Sequence, residues 1–330
     1  MSKVSVIGAG SFGTALSLVL SHNSHQVHLW TIEEQVIKDI TTKRQNKKYL
    51  PGIGVHKSIH VTNNLKETLD NSTLALIVIP TQHMREVAIQ VRQHIAAGVP
   101  LISAAKGLEV GSGLRNSQIL KEVFKTRNSI QVLSGPSHAE EVAQRFPCTV
   151  SLASRDAQRA KKIAKYFHND FFRVYHNTDV IGVEIGGAVK NIIAIAAGLC
   201  DGLHLGDNSK AALLARGLVE IKRFGIACGA RSNTFDGVSG LGDLVTTCFS
   251  PFGRNRAFGE ALGKGKKPAK ALTDIGQVVE GVPTTEAVLK LAKQLKIDMP
   301  ICKEVGEILK GKSPALAVAT LMKRRPKAES

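Results

Sequence analysis

The chain has 330 residues, 43% hydrophobic and 22% charged, an ordinary balance for a globular protein of about two domains at roughly 150 residues each. Lys and Arg number 44 against 27 Asp and Glu, a net charge of +17, but aromatics make up only 5% and none interleaves the basic runs at 263–270 and 322–330. That pattern argues against base stacking and so against nucleic acid, and favours anionic small molecules as partners.

The five cysteines are scattered, with neither disulfide nor metal-ligand spacing, and no uninterrupted apolar run reaches the ~18–20 residues of a membrane span. A reduced, cytoplasmic protein without a metal or stable membrane insertion is expected. The first residues run into a strand, "KVSVIG" (3–8), leaving no room for a secretory signal. Gly8-x-Gly10-x-x-Gly13 follows directly and opens a helix from Phe12 to about Ser21. In such a turn Gly8 permits the tight bend, Gly10 admits a pyrophosphate to the backbone, and Gly13 lets helix and strand pack closely. Free N–H groups of the helix N-terminus then face the anion. A second strand, "QVHLW" (26–30), comes at the distance a dinucleotide-binding unit requires, which separates this turn from an unliganded glycine loop.

Further strands are expected at 73–80, 99–107, 129–137, 148–154 and 171–177, the last two flanking a helix. Strands alternating with helices predict a mostly parallel sheet with right-handed crossovers. After about Asp179 only helical patterns follow. The expected fold class is α/β, a Rossmann-like domain over 1–187 joined to an all-helical domain over 188–330.

The stretch "GGAVKNIIAIAAGLC" (186–200) poses the central question. It is small or aliphatic almost throughout, yet holds Lys190 and Asn191. An ammonium in a dry interior costs several kcal/mol unless it is paired or loses its proton. It is either functional or a lysine snorkelling to water. Four other stretches end strands or open helices, where open α/β sheets place ligands. Lys106 reads as a site residue or an exposed loop lysine. Gly135 and Ser137 read as an anion-binding or a plain turn. Asp243 reads as a site acid or an N-cap. Arg254, Asn255 and Arg256 read as a phosphate clamp or an exposed helix start.

Together these stretches resemble the bacterial-type NAD(P)-dependent sn-glycerol-3-phosphate dehydrogenases. The resemblance runs almost the whole chain, through "IGAGSFGTAL", "KKYLPG", "AAKGLE", "LSGPSHAEE", "DVIGVEIGGAVKNIIAIAAGLCDG", "ARGLVE", "GLGDLVTTC", "GRNRAFG" and "IGQVVEG". It implies reversible reduction of dihydroxyacetone phosphate to sn-glycerol-3-phosphate, supplying phospholipid synthesis, with NADH or NADPH, by a homodimer. Lys190 is then the proton donor and acceptor, paired with Asp243. Lys106 contacts substrate and nicotinamide. Gly135, Ser137, Asn191, Gly253, Arg254 and Asn255 surround the substrate. Gly8, Gly10, Ser11, Phe12, Gly13, Ile32, Glu33, Tyr49, Lys106, Ala139, Arg254, Val278 and Glu280 lie along the cofactor. Ser137 stands where the family often has Thr, which keeps the hydroxyl. Gly253 stands where it often has Ser, leaving a backbone N–H to substitute for one phosphate contact.

Two other readings fit parts of the pattern: a helix-lysine Rossmann dehydrogenase acting on a hydroxy acid, and a non-catalytic dinucleotide-binding regulator. The "GLGDL" and "GRNRAFG" stretches argue against the first, and the joint presence of Lys106, Lys190 and Asp243 against the second. Glu33, 20 residues after Gly13, is placed to meet a ribose 2′-hydroxyl and predicts a preference for NADH. Lys43, Arg44, Lys47 and Lys48 are the cations that would oppose it.

Overall fold

A computed structural model describes residues 2–325; the last five residues of the basic run at 322–330 lie outside them. β1 (Lys3–Ile7), α1 (Ser11–His22), β2 (Gln26–Trp30) and α2 (Glu34–Lys43) come first. A small antiparallel pair, β3 (Gln45–Asn46) and β4 (Leu50–Gly54), precedes β5 (Ile59–Thr62), α3 (Leu65–Leu69), β6 (Leu74–Ile77) and α4 (Met84–His94). The sheet is completed through β7 (Leu101–Ser103), α5 (Asn116–Phe124), β8 (Ile130–Ser134), α6 (Ala139–Ala143), β9 (Cys148–Ala153), α7 (Ala157–Ala164) and β10 (Phe172–Asn177). The helical half comprises α8 (Val180–Gly202), α9 (Gly206–Ala227), α10 (Asp243–Phe249), α11 (Arg254–Gly263), α12 (Pro268–Ile275), α13 (Gly281–Gln294), α14 (Pro300–Leu309) and α15 (Pro314–Met322).

Eight strands form one sheet in the order β10-β9-β8-β7-β6-β1-β2-β5. The chain winds one way from β1 to β2 and the other way from β6 onward, so the crevice at the carboxyl end of β1 lies at the winding switch, where open α/β sheets bind ligands. Side chains alternate between two cores: Val4 and Val6 pack on one face, Ile7 and Ile77 on the other. The sheet is parallel except for the β8–β9 pair. The connection between those strands carries only the five-residue α6, about 8 Å long, which packs on α1 instead of crossing the sheet. The short strands β3, β4 and β5 were not among the expected elements.

The carboxylate of Asp179 caps α8, accepting the Gly182 N–H at 2.9 Å and, on its other oxygen, the Thr234 hydroxyl at 2.7 Å. The expected boundary at 187 falls inside this helix. Its first turns touch β8 and β9, and the rest is wrapped by α9, α10, α11, α13 and α14. By length and composition α8 is long and apolar enough to cross a membrane, yet 94% of its most apolar window is buried inside the protein.

Small residues set how closely α11 approaches. A Cβ on Gly198 would lie 1.9 Å from the Arg256 carbonyl oxygen, and one on Gly259 1.9 Å from that of Ile195. The two backbones therefore meet without side chains between them. Gly198→Ala and Gly259→Ala are each expected to destabilise the fold by about 1–3 kcal/mol or more through overpacking. Urea unfolding of the variants checks this; unchanged midpoints would mean that the helices can separate freely.

Candidate active site

A cleft of about 980 Å³ runs from the β1–α1 turn to the buried polar residues of α8 and α10. Of the site residues expected from sequence, all line it except Gly135 and Arg256, whose guanidinium turns away from the cleft and pairs with Asp201 at 2.7 Å. Gly135 lies just behind, at φ +146°, where a Cβ would sit 2.9 Å from the Val150 Cα. Its carbonyl accepts hydrogen bonds from Lys106 Nζ and the Ser137 hydroxyl, both at 2.9 Å.

At the cofactor end, Gly8 has φ +115° and a Cβ there would meet the Val78 carbonyl oxygen at 2.4 Å. A Cβ on Gly13 would lie 1.9 Å from the Gly8 oxygen. Above Gly10 there is nothing within 4 Å, so the space that a side chain would fill is open to a ligand. Helix α1 has no side-chain cap and no acid in its first turn. Its free amides are left for an anion, and this glycine cradle fits a dinucleotide pyrophosphate. Ser11 and Phe12 begin the helix, and Ala139 lies across the cleft.

The ribose end is the turn after β2. Ile32 is exposed there. The Glu33 carboxylate accepts the Tyr49 hydroxyl at 2.6 Å and forms an ion pair with Lys48. Burial opposes its charge, but these two partners hold its carboxyl below the usual carboxylate range. Of the basic stretch, Lys48 alone folds back on Glu33. Lys43 pairs with Asp39, and Arg44 donates to the carbonyls of Val55 and Ile59.

Deeper in the cleft, one carboxylate serves two lysines. Asp243 Oδ1 lies 2.5 Å from Lys190 Nζ, and Oδ2 lies 2.8 Å from Lys106 Nζ. Lys190 also donates to the Thr247 hydroxyl. Lys190 is 5% exposed and Asp243 1%, so neither reaches bulk water. Burial pushes Lys190 down to about 8 against the pull of Asp243, while Lys106 adds like-charge repulsion. For Asp243, burial favours the neutral acid, but the two ammonium groups outweigh it and hold the carboxyl below its ordinary value. The lysine of the apolar helix does not snorkel to water; it is a buried, paired ammonium. Gly187 makes room for this arrangement. A Cβ on it would sit 2.7 Å from the Ser134 hydroxyl and 3.5 Å from the Lys106 stem.

Neutral amides link the lysine loop to the helices. Asn191 Nδ2 donates to the Lys106 carbonyl at 3.2 Å, and its Oδ1 accepts from Asn255 Nδ2 at 3.0 Å. Asn255 Oδ1 in turn accepts the Gly281 N–H at 2.9 Å. Gly253 is the N-cap of α11 and offers no side-chain cap, and the first turn carries no acid. Arg254 stands exposed at the cleft, with Gln277 at 3.4 Å. Val278 is half-exposed. Burial pushes the Glu280 carboxyl up to about 7, and its Oε1 accepts the Thr81 N–H at 2.9 Å.

Two polar cleft residues beside the buried centre, Thr247 and His138, were not singled out from the sequence. Thr247 lies one helical turn after Asp243, a spacing that puts both on one face of α10 and was legible in "DLVTT". His138 sits between Ser137 and Ala139 with Nε2 buried and unpartnered, and burial pushes it down to about 4. Nothing in its local sequence distinguished it from a turn residue.

Family models describe the NAD-dependent glycerol-3-phosphate dehydrogenase N-terminus over residues 3–160 and C-terminus over 179–320. A glycerol-3-phosphate dehydrogenase of the NAD(P)+ type from Geobacillus thermodenitrificans is 46% identical over 332 aligned positions, covering 100% of this chain and 97% of its own. The chain belongs to the NAD-dependent glycerol-3-phosphate dehydrogenase family. A Bacillus pumilus member of the same NAD(P)+ type is 45% identical, with 98% of this chain and 95% of that one covered. The crystal structure of the Coxiella burnetii glycerol-3-phosphate dehydrogenase superposes with a TM-score of 0.94 at 39% identity, covering 98% and 99% of the two chains. These likenesses favour glycerol-3-phosphate dehydrogenase over a hydroxy-acid dehydrogenase or a non-catalytic regulator.

Removing the shared carboxylate of this dehydrogenase is expected to cost about 3–5 kcal/mol, because it leaves buried ammonium groups unpaired. In Asp243→Asn the pKa of Lys190 falls further, so the unfolded chain binds the extra proton and stability rises with pH. The deficit relative to wild type is largest below that lowered pKa and narrows toward about pH 8, the wild-type value. Denaturant unfolding of both proteins at pH 6 and 8 tests it; a pH-independent deficit would contradict the shared-charge account.

Proposed function

We propose that this dehydrogenase interconverts dihydroxyacetone phosphate and sn-glycerol-3-phosphate, with Lys190 as proton donor and acceptor, and supplies glycerol-3-phosphate for phospholipid synthesis. The observation that carries the proposal is the buried Lys190–Asp243–Lys106 centre at the floor of the same cleft that begins at the glycine turn. NADH or NADPH, when bound, supplies the hydride to the substrate's second carbon and takes it back in the reverse direction.

The residues divide the remaining work. As the ketone is reduced its oxygen gains negative charge, and the Lys190 ammonium stabilises that charge and delivers a proton to it. Asp243 keeps both lysines oriented and offsets one of their two charges. Lys106 assists at the substrate and nicotinamide. Arg254, Asn255, the Gly253 turn and the free amides of α11 hold the phosphate, guanidinium matching phosphate oxygens two at a time. Gly135, Ser137 and Asn191 complete the substrate wall. Gly8, Gly10, Ser11, Phe12 and Gly13 take the pyrophosphate, Ile32, Glu33 and Tyr49 the ribose side, and Ala139, Val278 and Glu280 the rest of the cofactor. The proposal extends to a cytoplasmic homodimer, whose interface has exposed apolar side chains such as Ile226, Phe249 and Leu316 to draw on.

Ketone reduction needs Lys190 charged, and alcohol oxidation needs it neutral. With its pKa near 8, kcat/KM for reduction is expected to fall as pH rises above about 8, and that for oxidation to rise toward it. Lys190→Ala should lose about 10²–10⁴ in rate while still binding NADH. Steady-state rates in both directions from pH 6 to 10 measure this; near-normal turnover by Lys190→Ala would remove the lysine from the proton role.

The cofactor preference turns on Glu33. A carboxylate at the ribose hydroxyls repels a 2′-phosphate, so NADH is expected to be preferred, and Ile32→Arg to raise kcat/KM for NADPH. Comparing both cofactors at equal ionic strength decides it. A wild type favouring NADPH tenfold would mean that Lys48 reads the 2′ position instead.

A further inference from the structure

Away from the cleft, the outer edge of the sheet gathers three side chains from distant parts of the sequence. β2 and β5 are parallel neighbours with His28 directly opposite His60, and helix α3 brings Glu67 over them. The imidazole centroids lie 5.1 Å apart, and His60 Nε2 is 2.8 Å from Glu67 Oε1. One potential ligand atom from each residue lies within 4.8 Å of the other two. Among the described residues this is the one group of three His, Cys, Asp or Glu side chains so placed.

His28 supplies the second observation. Both of its ring nitrogens are buried and neither has a hydrogen-bond partner. A buried imidazole ordinarily satisfies at least one of them. Here its free lone pair lies beside an imidazole and a carboxylate that remain exposed enough for an ion to reach.

We propose that His28, His60 and Glu67 form a binding site for a divalent zinc-type cation, with water completing the coordination. Two imidazoles and one carboxylate with an open fourth position are a donor set that Zn²⁺ accepts. Bonds of about 2.0–2.2 Å place tetrahedral ligand atoms about 3.4 Å apart, so small side-chain rotations suffice to close the group. Glu67 is already oriented, since its Oε2 accepts the Thr62 hydroxyl at 3.4 Å. Lys3, whose ammonium donates to the Glu67 carbonyl at 2.9 Å, is the cation that opposes the ion. The bound ion clips the edge strand β5 and helix α3 to β2 at His28, four residues before Ile32 on the ribose-side turn.

The test titrates the metal-stripped full-length protein with Co²⁺, then displaces it with Zn²⁺. Expected are tetrahedral Co²⁺ bands saturating at one ion per chain, a Tm raised by Zn²⁺, and affinity weakened at least tenfold in both His60→Ala and Glu67→Gln. Both residues are surface groups away from the proposed catalytic centre, and dehydrogenase activity reports that the variants are folded. Absence of Co²⁺ bands, a sulfur-to-cobalt charge-transfer band that moves the ion to a cysteine, or affinities within twofold of wild type in both variants would each overturn the site.

Discussion

The site depends on one carboxylate shared by two ammonium groups. Lys106 comes from the loop after β7, Lys190 from α8 and Asp243 from the first turn of α10, so the contact ties the sheet to the helical half at the point where chemistry is expected. Taken singly, each of these charges is too costly to bury. Taken together they leave one net positive charge in a dry pocket. That excess is what an anionic substrate needs, and what a developing alkoxide needs more.

Packing enforces the arrangement. Helix α8 is held by its Asp179 cap at one end and by five helices along its length, and its glycines let Lys106 and the α11 backbone come close. A lysine on a mobile or solvated helix would keep an ordinary pKa and a wandering position. Apolar neighbours fix both, so the greasy sequence around Lys190 and its lowered pKa share one cause.

Much of this was legible in the sequence. The glycine spacing located the cradle, because each glycine answers a steric demand that recurs wherever a backbone approaches a pyrophosphate. Lys190 stood out because its neighbours are apolar on every side. The parallel character of the sheet was legible except for the β8–β9 reversal, which depends on α6 being too short to cross the sheet and packing on α1 instead. The strands β3, β4 and β5 were missed because they are short and broken by polar, Gly or Pro residues; β3 and β4 pair only with each other, and β5 draws its pairing from the distant β2. The ion pair of Lys48 with Glu33, the unpartnered His138 and the meeting of His28, His60 and Glu67 are all tertiary facts: each joins positions whose local pattern carries no trace of the other.

The bonds running from the Lys106 carbonyl through Asn191 and Asn255 to the Gly281 amide have a direction. Each side-chain amide gives a hydrogen toward the lysine loop and receives one from the side of α13, so the dipoles stand head to tail. Such a line works one way only. Turning either amide over would set donor against donor or acceptor against acceptor along the whole row, so its two members hold each other's orientation. The wall of the cleft beside the Lys106 loop is thus keyed without any charge, and it keeps that geometry at any pH the fold survives.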